Sequence, residues 1–119
     1  MPNLVILMIE EEQPEGLSAR KLIVETAKHN VLTAYSAATG IELLRRFPNV
    51  DAVLVHAAIL ERHPDLIEKI RAHLDGVPVI LTTPHRFAKD VGADYAVDSY
   101  NPQELLNLLQ QGIRPRQRG

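Results

Sequence analysis

Residues Leu4–Ile9 read Leu-Val-Ile-Leu-Met-Ile, with no polar side chain in the run. A strand with one wet face alternates apolar and polar residues, so an unbroken run of this kind belongs to a strand buried on both faces. Such a strand needs helices above and below its sheet. Further short apolar runs follow. Val31–Ser36 carries β-branched and aromatic residues, and Ala52–Val55 is apolar throughout. Val77–Thr82 has its proline, Pro78, where a strand start accepts one, and Tyr95–Val97 follows the turn residue Gly92.

Helical patterns fill the gaps. Glu15–His29 predicts a helix, with Ile23 and Ala27 four apart and Asn30 as its stop. Thr39-Gly-Ile-Glu42 predicts a capping box, with Thr39 at the N-cap and Glu42 at N3, and that helix runs to Phe47 before Pro48. Pro64 suits a first helical turn, and Leu66, Ile67, Ile70 and Leu74 form a stripe that Gly76 ends. Asn101-Pro102-Gln103-Glu104 predicts a helix start, carried by Leu105, Leu106, Leu108 and Leu109 to Gly112. Between Thr83 and Val91 there is room for at most about two turns.

Strands alternating with helices, joined by right-handed crossovers, give an α/β fold of three layers with a parallel sheet. The 119 residues suit one domain, expected over 1–112, with a basic tail at 113–119 holding Arg114, Arg116 and Arg118. With 13 Lys+Arg against 15 Asp+Glu the formal charge is −2, which gives no overall footprint for nucleic acid or a membrane. The absence of Cys excludes disulfides, thiolate metal sites and a Cys nucleophile, and fits a cytoplasmic protein. Aromatics are 4% with no Trp, which argues against base-stacking platforms. No targeting segment or membrane span is read from the N-terminus.

In parallel sheets, chemistry collects beyond the carboxyl ends of the strands. Glu10, Glu11 and Glu12 follow the first run, His56 the third, Thr82 and Thr83 the fourth, and Asp98 and Ser99 the fifth. The first loop has neither a glycine cradle nor a lysine, and its carboxylates would repel a phosphate, which argues against a flavin or dinucleotide there. Walker A, GxGxxG, GxSxG and HExxH motifs are absent.

The layout resembles the receiver domain of response regulators in two-component signalling. The matching stretches are Val5-Ile-Leu-Met-Ile-Glu-Glu-Glu12, Val50-Asp-Ala-Val-Leu-Val-His56, Val77-Pro-Val-Ile-Leu-Thr-Thr83 and Gly92-Ala-Asp-Tyr-Ala-Val97. The resemblance covers Asn3 to about Gln111. It implies a flavodoxin-like five-stranded sheet in the order 2-1-3-4-5. In the family an aspartate after strand three accepts a phosphoryl group, an acidic pair after strand one holds Mg²⁺, and a hydroxyl after strand four and a lysine after strand five bind the phosphoryl group.

Carried over by this resemblance, Glu10 and Glu11 fall on the acidic pair, Thr82 on the hydroxyl and Tyr100 near the switch aromatic. His56 falls on the phosphoacceptor, Asp98 on the lysine, and Ser99 on the proline after it. An acyl phosphate needs a carboxylate, which His56 lacks, and Asp98 adds an anion where the family supplies a cation. The segment from Thr82 to Gly92 is shorter than in the family, so the family's fourth helix is expected to be shortened.

The expectation is a degenerate receiver: a non-enzymatic, phosphorylation-independent signalling protein in a two-component or phosphorelay-type pathway. It is expected to act by binding a protein partner, with a homodimer as one form, and to need no cofactor. Two alternatives stay open. Glu10, Glu11 and His56, with Asp98 nearby, suit a divalent metal such as Mn²⁺ or Zn²⁺. The Arg tail suits nucleic acid, against which a plain solubilising terminus is the simpler reading. For His56, a neutral imidazole hydrogen-bonded near carboxylates stands against a phosphoramidate acceptor and against an ion pair with Asp98.

Overall fold

The structure is a computed structural model, and it describes residues 4–11, 29–83, 92–98 and 102–111. Its elements are β1 (Val5–Ile9), β2 (Asn30–Ala34), α1 (Ala37–Arg46), β3 (Ala52–His56), α2 (Ala57–Arg62), α3 (Leu66–His73), β4 (Val79–Thr83), β5 (Tyr95–Asp98) and α4 (Pro102–Gln111). The five strands form one parallel sheet in the order β2-β1-β3-β4-β5, as the resemblance implies. The arrangement is a flavodoxin-like fold.

Strand alternation divides the core in two. Leu7, Ile9, Val53, Val55, Val79 and Leu81 face α1, α2 and α3, where Leu44, Ile59, Leu66 and Ile70 meet them. Ile6, Met8, Ala52, Leu54, Ile80 and Val97 face α4, which contributes Leu105 and Leu109. Each fully buried Leu or Ile side chain is worth about 1.5–3 kcal/mol. Because both faces are covered, β1 can be apolar throughout, and β3 and β4 apolar up to their carboxyl ends, and that is why those runs were legible.

Gly40 sits where α1 crosses β1. A methyl group on it would stand 2.6 Å from Cδ1 and 2.9 Å from Cγ1 of Ile9. With glycine there, the helix lies this close to the sheet without displacing the Ile9 side chain. Gly76 and Gly92 have φ of 83° and 88°, a left-handed region that suits glycine at the turns before β4 and β5.

Several boundaries differ from the sequence reading. The N-cap of α1 is Ser36, whose Oγ accepts the Thr39 N–H at 3.1 Å, so Thr39 lies inside the helix and the box at Thr39–Glu42 is not the cap. β2 correspondingly starts at Asn30 and ends at Ala34, whose carbonyl accepts the Glu10 N–H at 3.0 Å. Asn30 therefore opens a strand where a helix stop was expected. Pro64 lies in the turn before α3, which begins at Leu66 with Asp65 as its cap. α2 was not anticipated at all. The body of the helix expected over Glu15–His29 lies outside the described residues. So do Glu12, residues 84–91, where the shortened fourth helix is expected, Ser99, Tyr100, Asn101 and the tail at 113–119.

One polar contact fixes the turn before β5. Asp94 Oδ2 accepts Nη2 of Arg71 at 2.9 Å and the Val79 N–H at 2.8 Å, and the Asp94 N–H donates to the Val79 carbonyl at 2.9 Å. The pair is only 19% and 18% exposed. It ties α3, β4 and the entry to β5 together.

Candidate functional site

The carboxyl edge of the sheet gathers the residues that the sequence singled out. β3 pairs with β4 so that His56 lies beside Thr82, and β4 pairs with β5 so that Thr83 lies beside Asp98. Ile9 pairs with Val55, so Glu10 comes level with His56 one step beyond. Neighbouring strands are about 4.8 Å apart.

Alternation then sorts these residues by face. Two positions past Met8, Leu54 and Ile80, which face α4, the side chains of Glu10, His56 and Thr82 share that side of the sheet. Glu11, Thr83 and Asp98 belong to the opposite side. Glu10 is 2% exposed and Thr82 1%. The Thr82 hydroxyl is buried and makes no hydrogen bond among the described residues.

Glu11 reaches the surface over α2, where its Oε2 stands 3.4 Å from both terminal nitrogens of Arg62. The two acids after β1 therefore diverge. Both partners are exposed, so the ion pair is worth at most about 1 kcal/mol. It nonetheless gives Glu11 a cation to face that sequence spacing did not reveal.

His56 ends β3 and caps α2. Its backbone is extended, with φ −75° and ψ 139°, and its Nδ1 accepts the Ala58 N–H at 3.0 Å. An amide can only donate, so Nδ1 is the unprotonated nitrogen and the neutral ring carries its proton on Nε2. The imidazole does locally what Ser, Asp or Asn usually does at an N-cap. Nδ1 is thereby committed, which leaves Nε2 as the ring's donor.

The metal set expected from Glu10, Glu11 and His56 does not assemble. Among the described residues no three His, Asp or Glu side chains are placed to hold an ion. Consecutive residues leaving β1 point to opposite faces, and the capping bond takes Nδ1 of His56. Asp98, on the far face and two strands away, is about 10 Å across the sheet from His56.

Two open clefts lie elsewhere. One, of about 380 Å³, is lined by Ala37, Ile41, His63, Asp65, Leu66 and Lys69 between α1 and α3. The other, of about 340 Å³, lies between β5 and α4 and is lined by Tyr95, Val97, Glu104, Asn107 and Leu108. No helix among the described residues is long and apolar enough to cross a membrane.

No protein-family model matches the chain, and no curated protein matches it. Solved structures do. A response regulator from Chloroflexus aurantiacus J-10-fl superposes with a TM-score of 0.77 at 16% identity, over 92% of this chain and 97% of that one. A response regulator receiver domain protein from Methanospirillum hungatei JF-1 gives 0.73 at 21% identity, over 92% and 93%. The receiver domain of a sensor histidine kinase from Pseudomonas aeruginosa PAO1, with magnesium coordinated in its active-site cleft, gives 0.75 at 18% identity, over 92% and 97%. The fold of this chain is that of the response regulator receiver domain.

Proposed function

We propose that the chain is a receiver-like signalling module that acts through protein contacts in a two-component or phosphorelay-type pathway, in the cytoplasm, without accepting a phosphoryl group. The likeness to receiver domains over nearly the whole chain supports the signalling role. The phosphorylation-independent part rests on one observation. At the end of β3, where the family resemblance implies an acylating aspartate, the chain has an imidazole already engaged as a helix cap.

The rest of the edge agrees. Glu11 faces Arg62 rather than a metal, and Asp98 brings an anion to the position implied for the lysine. An incoming phosphoryl group would meet the Asp98 carboxylate where the family supplies a cation. A two-state switch can only be driven by something that binds the two states differently, so the trigger here is a partner and not a covalent phosphate.

Incubation of the full chain with acetyl phosphate and Mg²⁺, followed by mass spectrometry, tests this. The expected spectrum is unchanged. A stable adduct of one phosphoryl group at the carboxyl edge would overturn the proposal.

A further inference from the structure

β2 is an edge strand, and the described residues leave its outer side without a partner. The Asn30 N–H donates to the Leu4 carbonyl and the Ala34 carbonyl accepts from Glu10, so Asn30, Leu32 and Ala34 turn their backbone groups toward β1. Val31 and Thr33 then turn theirs away from the sheet. Such an edge is usually blunted by a lysine, a proline or a bulge. Asn-Val-Leu-Thr-Ala has no charge, no proline and no glycine.

The edge is also self-complementary. If two copies are set antiparallel about Leu32, Val31 of each comes opposite Thr33 of the other. These are the residues whose amide and carbonyl groups face outward, so each pair exchanges both hydrogen bonds, as an antiparallel ladder requires. Leu32 meets Leu32 in the closer, non-bonded pairing. Both Val31 and Leu32 are only partly buried in the single chain. A β-branched residue opposite a threonine is a favourable cross-strand pair, and with no charge on the strand nothing repels.

Two large apolar residues of the described chain are exposed, Tyr35 at 45% and Phe47 at 40%. Tyr35 directly follows β2. Phe47 is the C-cap of α1, which contacts both β1 and β2. A single strand pair buries too little for the roughly 1,200 Å² that specific interfaces need, and the exposed Tyr35 ring directly after β2 widens the contact.

We infer that β2 is a homodimerisation surface, at which two copies pair antiparallel through Val31 and Thr33 into one continuous sheet. This surface lies at the opposite end of the sheet from β5, and the inference does not depend on whether the chain accepts phosphate.

Sedimentation equilibrium and amide hydrogen exchange of the full chain test it together. The expected result is a monomer–dimer equilibrium in which the Val31 and Thr33 amides gain protection as concentration rises, while the Leu32 amide, bonded inside the sheet, is protected throughout. Thr33→Pro removes an outward donor without touching the β1 ladder, and is expected to give a monomer with an unchanged circular dichroism spectrum. Val31→Pro is the second variant should the first fail to fold. A wild-type chain that stays monomeric into the millimolar range, or a dimer that survives in a folded proline variant, would overturn the inference.

Discussion

Ala58 donates its backbone N–H to Nδ1 of His56 at 3.0 Å, so the residue at the phosphoacceptor position serves as the first fixed point of α2. An N-cap bond is worth about 1 kcal/mol. His56→Ala is expected to cost that amount in chemical denaturation. His56→Asp and His56→Asn, which restore a capping oxygen, are expected to stay within a few tenths of wild type. Nitrogen-15 NMR of the imidazole should show the proton on Nε2. A ring protonated on Nδ1 would contradict the capping geometry.

A second prediction concerns Arg71 and Asp94. Asp94→Ala removes the acceptor for both the guanidinium and the Val79 N–H, leaving two largely buried donors unmatched. The cost expected from such orphaned groups is about 2–4 kcal/mol. Asp94→Asn keeps a carbonyl oxygen for Val79 and should cost less than the alanine variant. Equal losses in the two variants, measured by urea unfolding, would mean that the amide contact contributes nothing.

How far these features could be read beforehand depends on the residue. The unbroken runs at β1 and β3 announced a doubly covered sheet because no other surroundings tolerate them. The edge position of Glu10, His56 and Asp98 followed from the parallel topology. The splitting of Glu10 from Glu11 was already implicit in strand alternation, although adjacent acids suggest a pair. Two things left no usable trace. α2 is only six residues long and is capped by an imidazole, so neither its period nor its cap stands out. The Arg62–Glu11 contact joins residues 51 apart, which no local pattern encodes. At α1, Ser36 and Thr39 both suit an N-cap, and only the end of the β2 ladder at Ala34 decides between them.

Gly40 supplies a third test. Alanine is ordinarily the better helix residue by about 1 kcal/mol. At this position the added methyl group meets Cδ1 and Cγ1 of Ile9, which is itself fully buried and would have to shift to admit it. Overpacking typically costs about 1–3 kcal/mol, so the net effect of Gly40→Ala is expected to be destabilising. The double variant Gly40→Ala with Ile9→Val, which trims the Cδ1 atom, should recover part of the loss. A stabilised single variant would show that α1 can move off the sheet at little cost.

The Thr82 hydroxyl gives the last prediction and the one closest to function. It is buried beside His56 on the face shared with Glu10, and no described residue bonds it. A buried hydroxyl without a partner costs folding about 1–3 kcal/mol. Valine has nearly the same shape, favours a strand and has no hydroxyl to desolvate. Thr82→Val is therefore expected to raise stability by about 1 kcal/mol in the isolated chain. If the carboxyl edge takes part in binding a signalling partner, the same variant should weaken that complex while stabilising the free protein. Opposite movements of melting temperature and partner affinity would mark the hydroxyl as kept for recognition. A destabilised Thr82→Val chain would instead mean that the hydroxyl is bonded within the folded chain, and its place in the site would fall.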